Sequence, residues 1–399
     1  MTASATQLSS SLTNRIQRIE ISATMAVVAE AEKLRATGAN LVDFGAGEPH
    51  FATPPHIKQA AIASINADFT KYTAVGGTLE LRDAIVKRHA EDFGSDYKRE
   101  ECMASVGGKH ALFNAIQVLV DHGDEVILPV PYWVSFKDII RFGGGEPVYI
   151  PTDERHDFQL TAEMVERAIT PRTKMIILNS PCNPSGSVMS PEDIAAVVQL
   201  AHERGIYVVS DECYVYLNFT GRIFSAGSVQ DVKERLVIVG SLSKTYAMTG
   251  WRLGYALGPA PVISAMHKLQ SQSTSNPTSI VQKAAVAALN GPQDCVREMR
   301  KDYIKLRDKL VEGLRAIPGL TCAAPNGAFY AYPNVSHYFG RGGMNSASDA
   351  ARKLLHEAHV VVVPGEAFGT QDHVRLSYAV SEQHLEEGLR RMREFFAAL

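Results

Sequence analysis

The segment SLSKTYAMTGWRLGYALGP, residues 241–259, sets Lys244 among hydroxyl residues and Arg252 ahead of an apolar stretch broken by glycines. A lone charge taken out of water is penalised by several kcal/mol unless it is paired or neutralised. Either both residues face solvent or something in the interior requires them. Other polar residues stand at comparable points: Asp211 and Tyr214 follow the apolar run IYVVS (206–210), and Asn183 follows KMIILNS (174–180). In CMASVGGKHALFNAIQVLV (102–120), Gly107 and Gly108 precede a helical pattern that begins near Lys109. Free backbone N–H groups at such a helix start attract a phosphate or a carboxylate. Singly, each has a plainer reading: Asp211 as a turn former or cap, Asn183 as a turn residue, Lys244 and Lys109 as solvated loop charges. Together they offer an amine able to bond covalently to a carbonyl, a carboxylate to face a cation, and a cradle for an anion.

The elements that must carry these residues alternate. EVILP (125–129), KMIILNS, IYVVS and LVIVG (236–240) read as strands buried on both faces. SPEDIAAVVQLAHERG (190–205) reads as a helix, with Ser190 as cap, Pro191 in the first turn and Gly205 at the stop. Between residues 105 and 290 this pattern predicts an α/β fold, a mostly parallel sheet wrapped by helices. Ligands of such sheets bind at the carboxyl ends of the strands, where Asn183, Asp211 and Lys244 fall. After residue 290 come a long charged helix near 295–315, the strand-like pieces AFYAYP, HVVVVPG and HVRLSYA, and a final amphipathic helix, which read as a smaller α+β domain. TMAVVAEAEKLRATG, ending at Gly38, reads as a helix that packs with the C-terminal part. We therefore expect a large domain over 46–290 and a small one made from 1–45 and 291–399.

The 399 residues, 45% hydrophobic and 21% charged with a formal net charge of −3, describe an ordinary globular protein with room for a large site. The mild acidity gives no reason to expect nucleic acid or an anionic membrane as partner. Five cysteines without a CxxC pair suit reduced thiols and show no metal-ligand spacing. The start MTASATQLSSSL lacks the basic and apolar parts of a signal peptide, and no run of eighteen apolar residues occurs. The expectation is a cytoplasmic protein with a frayed Ser/Thr-rich start.

A phosphate cradle, a strand-end aspartate and a lysine near both match what pyridoxal 5'-phosphate requires. Its aldehyde forms a Schiff base with a lysine, and an acidic partner keeps its pyridine nitrogen protonated so that the ring accepts electrons. A lysine held in that bond is no orphan ammonium. At this point the chain resembles the class I/II aminotransferases of fold type I, within them the bacterial aspartate and aspartate/prephenate enzymes. The resemblance runs from about Thr24 to the C-terminus through GAGEP, TKYTAVGG, VGGKHALFN, PYWVSF, NSPCNPSG, SDECY, SLSKTYAMTGWRLGYALGP, GAFY and VRLSYA, in order. It implies that Lys244 binds the cofactor and moves the proton between substrate Cα and C4'. Asp211 then pairs with the ring nitrogen, Asn183 and Tyr214 bond the ring O3', and Trp133 stacks on the ring. Gly108, Lys109, Ser241 and Arg252 hold the phosphate region, and Tyr72 reaches in from the second subunit of a homodimer. Arg375 clamps the substrate α-carboxylate with the Gly47 backbone and Asn183, a bidentate contact that lysine does not reproduce.

In this subgroup the lysine of VGGK is taken to serve the distal carboxylate, so Lys109 favours aspartate, glutamate and their oxo acids as small-molecule substrates. Prephenate-active relatives carry a basic residue four positions before the threonine of PSAT, where this chain has Glu20 in EISAT. A carboxylate there predicts weak prephenate activity. Other readings are a lyase, or an aromatic or alanine aminotransferase, on the same scaffold. A transcription regulator with an aminotransferase-like domain would need a DNA-binding segment ahead of it, for which the N-terminal extension is too short.

Overall fold

The computed structural model describes residues 12–21 and 23–399. The expected frayed start falls on residues 1–11, and Ser22 of EISAT is likewise outside the described residues. Twelve strands follow in chain order: β1 (Val42–Asp43), β2 (Cys102–Ser105), β3 (Glu125–Val130), β4 (Glu146–Pro151), β5 (Thr173–Asn179), β6 (Tyr207–Asp211), β7 (Leu236–Ser241), β8 (Gly254–Leu257), β9 (Tyr330–Ala331), β10 (Val360–Val361), β11 (Val363–Pro364) and β12 (Val374–Ser377).

β2 to β8 form one seven-stranded sheet in the order β2-β8-β7-β6-β5-β3-β4. β7, β6, β5, β3 and β4 run parallel, while β8 is antiparallel to both its neighbours, β2 and β7. Both faces are covered, which is why the strands read as unbroken apolar runs. Ile127, Ile176, Val208 and Ile238 point into a core shared with Val197 and Val198 of the helix Pro191–Glu203. Their alternates Val126, Met175, Val209 and Val237 pack on Leu112 and Ile116 of the helix Gly108–Leu119. The Pro191–Glu203 helix is capped as its sequence dictates: Ser190 Oγ accepts from Asp193 N, and Gly205 takes φ +69°.

The remaining strands join the two ends of the chain. The helix Ala23–Ala36 leads into β1, which pairs in parallel with β10, Val42 opposite Val360. In the helix Asp294–Arg315, Met299, Tyr303, Leu306, Leu310 and Leu314 recur every three or four residues. That stripe packs against Phe44, Leu376, Leu389 and Met392 in a core of its own. HVVVVPG, read as one strand, is two: β10 serves β1, and β11 turns to pair antiparallel with β12. A single apolar run cannot show that its halves have different partners. AFYAYP contributes only β9, which pairs with β12. Among the described residues no helix is long and apolar enough to cross a membrane, no cluster of His, Cys, Asp or Glu could hold a metal ion, and all five cysteines are free.

One close approach positions the anion-binding turn. A Cβ on Gly254 of β8 would stand 2.3 Å from Gly108 N, against backbone that cannot swing aside. Gly254→Ala should therefore lower stability by about 1–3 kcal/mol through overpacking. The check is urea unfolding, and a midpoint equal to the parent's would contradict the close fit.

Candidate active site

The polar residues at the carboxyl ends of β5, β6 and β7 meet because the register is fixed: Asn179 lies opposite Asp211, and Asp211 opposite Val239. They open on a cavity of about 520 Å³. Its lining includes eleven of the twelve residues predicted from the sequence. Lys244, Asp211, Asn183 and Tyr214 are there, with Trp133 and Gly47; so are Gly108, Lys109, Ser241, Arg252 and Arg375. Tyr72 is not, and its side chain is 91% exposed.

At one end stands the anion turn. Gly107 takes φ +86° and starts the helix Gly108–Leu119, whose first amides have no carbonyl partner within the helix. Arg252 lies against this turn, with Nη2 2.6 Å from where a Gly107 Cβ would be, while Nη1 donates to Thr249 O at 2.7 Å. Ser241 caps the short helix Leu242–Thr245 by accepting from Ser243 N. Lys109 sits near the same end, with Nζ 4.8 Å from the centre of the Trp133 ring. Burial first, and Arg252 second, pull its ammonium below the ordinary lysine range.

Lys244 leaves the end of β7 on that short helix, and Nζ donates to Gly47 O. Its pKa falls to about 8, chiefly by burial. Cys213 and Glu48 oppose the shift, and Arg375 and Arg252 add to it. At pH 7 about one molecule in ten then holds this amine neutral, against about one in 3,000 for an ordinary lysine. Asp211 ends β6 and is buried, which raises its pKa, while the thiol and amide of Cys213 hold it down. The amide contact, Cys213 N to Asp211 Oδ1, is 3.1 Å.

Arg375 projects from β12 into the opposite wall and is 3% exposed. Nη1 donates to Asn183 Oδ1 at 3.0 Å and Nη2 to Gly45 O at 2.8 Å. Its guanidinium lies 4.6 Å from the Tyr330 ring centre and 5.0 Å from that of Phe368. Among the described residues Nε–H has no acceptor. Among the described residues neither Arg375 nor Asp211 forms a salt bridge; burial lowers the arginine's pKa, opposed by the phenols of Tyr330, Tyr214 and Tyr332 and by no carboxylate. A buried cation held by neutral acceptors in a cavity wall is built for an anion from outside. Because Asn183 Oδ1 accepts from Arg375, its amide NH₂ is left for a ligand.

Several wall residues went unread in the sequence. Cys213 and Tyr330 lay inside the quoted motifs SDECY and GAFY without a role, and Glu48 stands in GAGEP. Cys213 was findable as one of the two residues between Asp211 and Tyr214, both already singled out. Tyr330 was not, because its place depends on β9 pairing with β12, Tyr330 opposite Ser377. Glu20 is exposed, accepts from Lys137 Nζ at 2.8 Å, and lines a neighbouring cavity of about 560 Å³ that shares Lys109 and Arg252 with the first.

The model for aminotransferase class I and II matches residues 39–392. An aspartate aminotransferase of Geobacillus stearothermophilus is 44% identical over 389 residues, 97% of this chain and 99% of that one. An aspartate/prephenate aminotransferase of Nitrosomonas europaea is 43% identical over 390 residues, 96% of this chain and 98% of that one. Among solved structures, the aspartate aminotransferase of Thermus thermophilus with maleate superposes with a TM-score of 0.92 at 44% identity, covering 96% of this chain and 99% of that one. A mostly parallel sheet with lysine, aspartate and arginine around one crevice, and matches running nearly end to end, make the chain an enzyme of the class I and II aminotransferase family.

Proposed function

We propose that the enzyme transfers the amino group of L-aspartate to 2-oxoglutarate, using pyridoxal 5'-phosphate and alternating between the two substrates. The observation that carries this is the pairing of a buried guanidinium without an anion, Arg375, with a low-pKa amine, Lys244, across one cavity. The donor set also fits the cofactor: an amine for its aldehyde, a buried carboxylate at Asp211, without a salt bridge among the described residues, for its ring nitrogen, and the Gly107–Gly108 turn with Arg252 and Ser241 for its phosphate. When bound, the cofactor supplies an electron sink for the pair left at the substrate Cα.

The chain's residues do the rest. Arg375 and Asn183 fix the α-carboxylate, and with it the direction of the Cα–H bond. Lys244, once free, takes and returns the Cα proton, a role worth about 10²–10⁴-fold in rate. With the cofactor bound, Asp211 would keep the ring nitrogen protonated, Tyr214 and Asn183 would hydrogen-bond O3', and Trp133 would cover the ring. Lys109, already beside Trp133, meets the distal carboxylate. The aspartate reading follows the names of several relatives and the presence of this second cation. We further propose a homodimer in which the exposed Tyr72 completes the partner's phosphate site, a large lobe over 46–290 beside a small lobe from both chain ends, and a cytoplasmic location.

The test is the absorption spectrum of the purified enzyme. A visible band that aspartate bleaches and 2-oxoglutarate restores is the expected result, and a protein colourless even after the cofactor is supplied would overturn the proposal. Bleaching by aromatic amino acids or alanine, but not by aspartate, would favour another aminotransferase. Prephenate should be turned over far more slowly than oxaloacetate, since Glu20 places a carboxylate at the cavity beside Lys109 and has already taken Lys137 as its partner. Comparable steady-state rates for the two acceptors would refute this.

A further inference from the structure

Tyr330 touches both functions of the site. It opens β9, opposite Ser377 and so beside the strand that carries Arg375. Its side chain is 1% exposed and lines the catalytic cavity. Its ring backs the Arg375 guanidinium, and its hydroxyl lies 2.8 Å from that of Tyr214. A Cβ on Gly47 would stand 2.8 Å from the same hydroxyl, so the phenol is seated against that backbone.

The pair poses a question of direction. Each phenol has one proton, and burial holds both above the ordinary range, so both keep it. If Tyr214 donates to Tyr330, its proton is used inside the protein and the cavity meets only a lone pair. If Tyr330 donates, the Tyr214 proton is free for an acceptor in the cavity. Among the described residues the Tyr330 hydroxyl has no second hydrogen-bond partner. With an oxygen acceptor beside Tyr214, both protons are bonded only in the chain Tyr330 to Tyr214 to ligand.

We propose that Tyr330 is a positioning residue: its hydroxyl turns the Tyr214 proton toward the phenolic oxygen of the cofactor, and its ring holds the Arg375 guanidinium against the substrate carboxylate. This rests on the cofactor assignment above. It joins two contacts that the substrate and the cofactor otherwise make separately.

The two contacts can be removed one at a time in the holoenzyme. A hydrogen bond from Tyr214 favours the deprotonated chromophore, so weakening it should move the pH midpoint of the cofactor band upward. Tyr330→Phe keeps the ring and should raise that midpoint by roughly half a pH unit, with succinate affinity within about twofold of the parent. Tyr330→Leu removes the ring as well and should also weaken succinate binding about 3–10-fold. In a Tyr214→Phe background, Tyr330→Phe should cause no further shift, a result that general loosening of the site would not produce. A Tyr330→Phe enzyme that titrates with the parent, an undiminished shift in the Tyr214→Phe background, or a Tyr330→Leu enzyme that binds succinate as tightly as the parent would overturn the inference. The Phe variant preserves volume, so it decides the hydroxyl role even if the Leu variant fails to fold. A parent without any titrating band would instead overturn the cofactor reading.

Discussion

Lys244→Ala is expected to reduce aspartate transamination by about 10⁴-fold or more, because one side chain supplies both the covalent attachment and the acid–base step. No other residue can substitute: the neighbouring cations Arg252 and Lys109 belong to the anion end of the cavity, and Arg375 is committed to Asn183 and Gly45. Lost chemistry can be separated from lost structure by the sign of the stability change. In the cofactor-free protein the Lys244 pKa drops from 10.5 to about 8. A group lowered on folding contributes stability above its unfolded pKa and loses that contribution as the pH falls through the folded value. At pH 7 the buried amine therefore weakens the cofactor-free fold. The alanine variant should unfold at a higher urea concentration than the cofactor-free parent, and the gap should narrow as the pH rises toward 10. Capture of the aldehyde by the cofactor-free parent should rise through an inflection near pH 8. An inflection near 10.5, or a variant that transaminates like its parent, would remove Lys244 from the centre of the reaction.

How much of this was legible in the sequence depends on where the contacts lie. Asp211, Asn183 and Lys244 each follow an apolar run, and parallel strands in register bring their ends to one crevice whatever else the chain does. The Gly107–Gly108 turn was legible for the same local reason. Arg375 was different: alone, a charge in VRLSYA looks like an exposed strand residue, and its bond to Asn183 spans 192 positions. Only the family resemblance raised it. Even so, the resemblance could not show that its guanidinium lies against the rings of Tyr330 and Phe368, since that depends on how β9 and β12 pair and on the turn after β11. The antiparallel β8 was hidden too. Its apolar residues match those of its parallel neighbours, because burial on both faces leaves no mark of direction. The sequence showed a carboxylate at Glu20 but not its pairing with Lys137. Charge repulsion toward a second substrate carboxylate is weaker for a paired, exposed group, so the effect on prephenate rests on the carboxylate standing where a cation is needed as well as on repulsion.

Arg375→Lys should lower kcat/KM for both aspartate and 2-oxoglutarate by about 10²–10³-fold, although charge is conserved. Three features of the wall require a guanidinium. Its fork spans Asn183 Oδ1 and Gly45 O at once, which an ammonium on a shorter reach cannot do. The guanidinium lies within 5.0 Å of the centres of two aromatic rings, whereas an ammonium is a compact and strongly hydrated charge, more costly to bury there. Its Nε–H has no acceptor among the described residues, leaving a donor for an incoming carboxylate. Lysine also releases Asn183 Oδ1 and Gly45 O from their donors, so part of the loss is the penalty for unmatched polar groups in the wall. Because the site is buried, the effect should change little between low and moderate salt, unlike that of an exposed lysine. The loss should appear in succinate affinity as well as in turnover, since the contact is made before any bond changes. The visible band should remain, as Arg375 donates to Asn183 and Gly45 and not to the Gly107–Gly108 turn. A Lys variant with parental succinate affinity would show that the α-carboxylate binds elsewhere, and a marked salt dependence of the loss would show that the guanidinium acts from solvent.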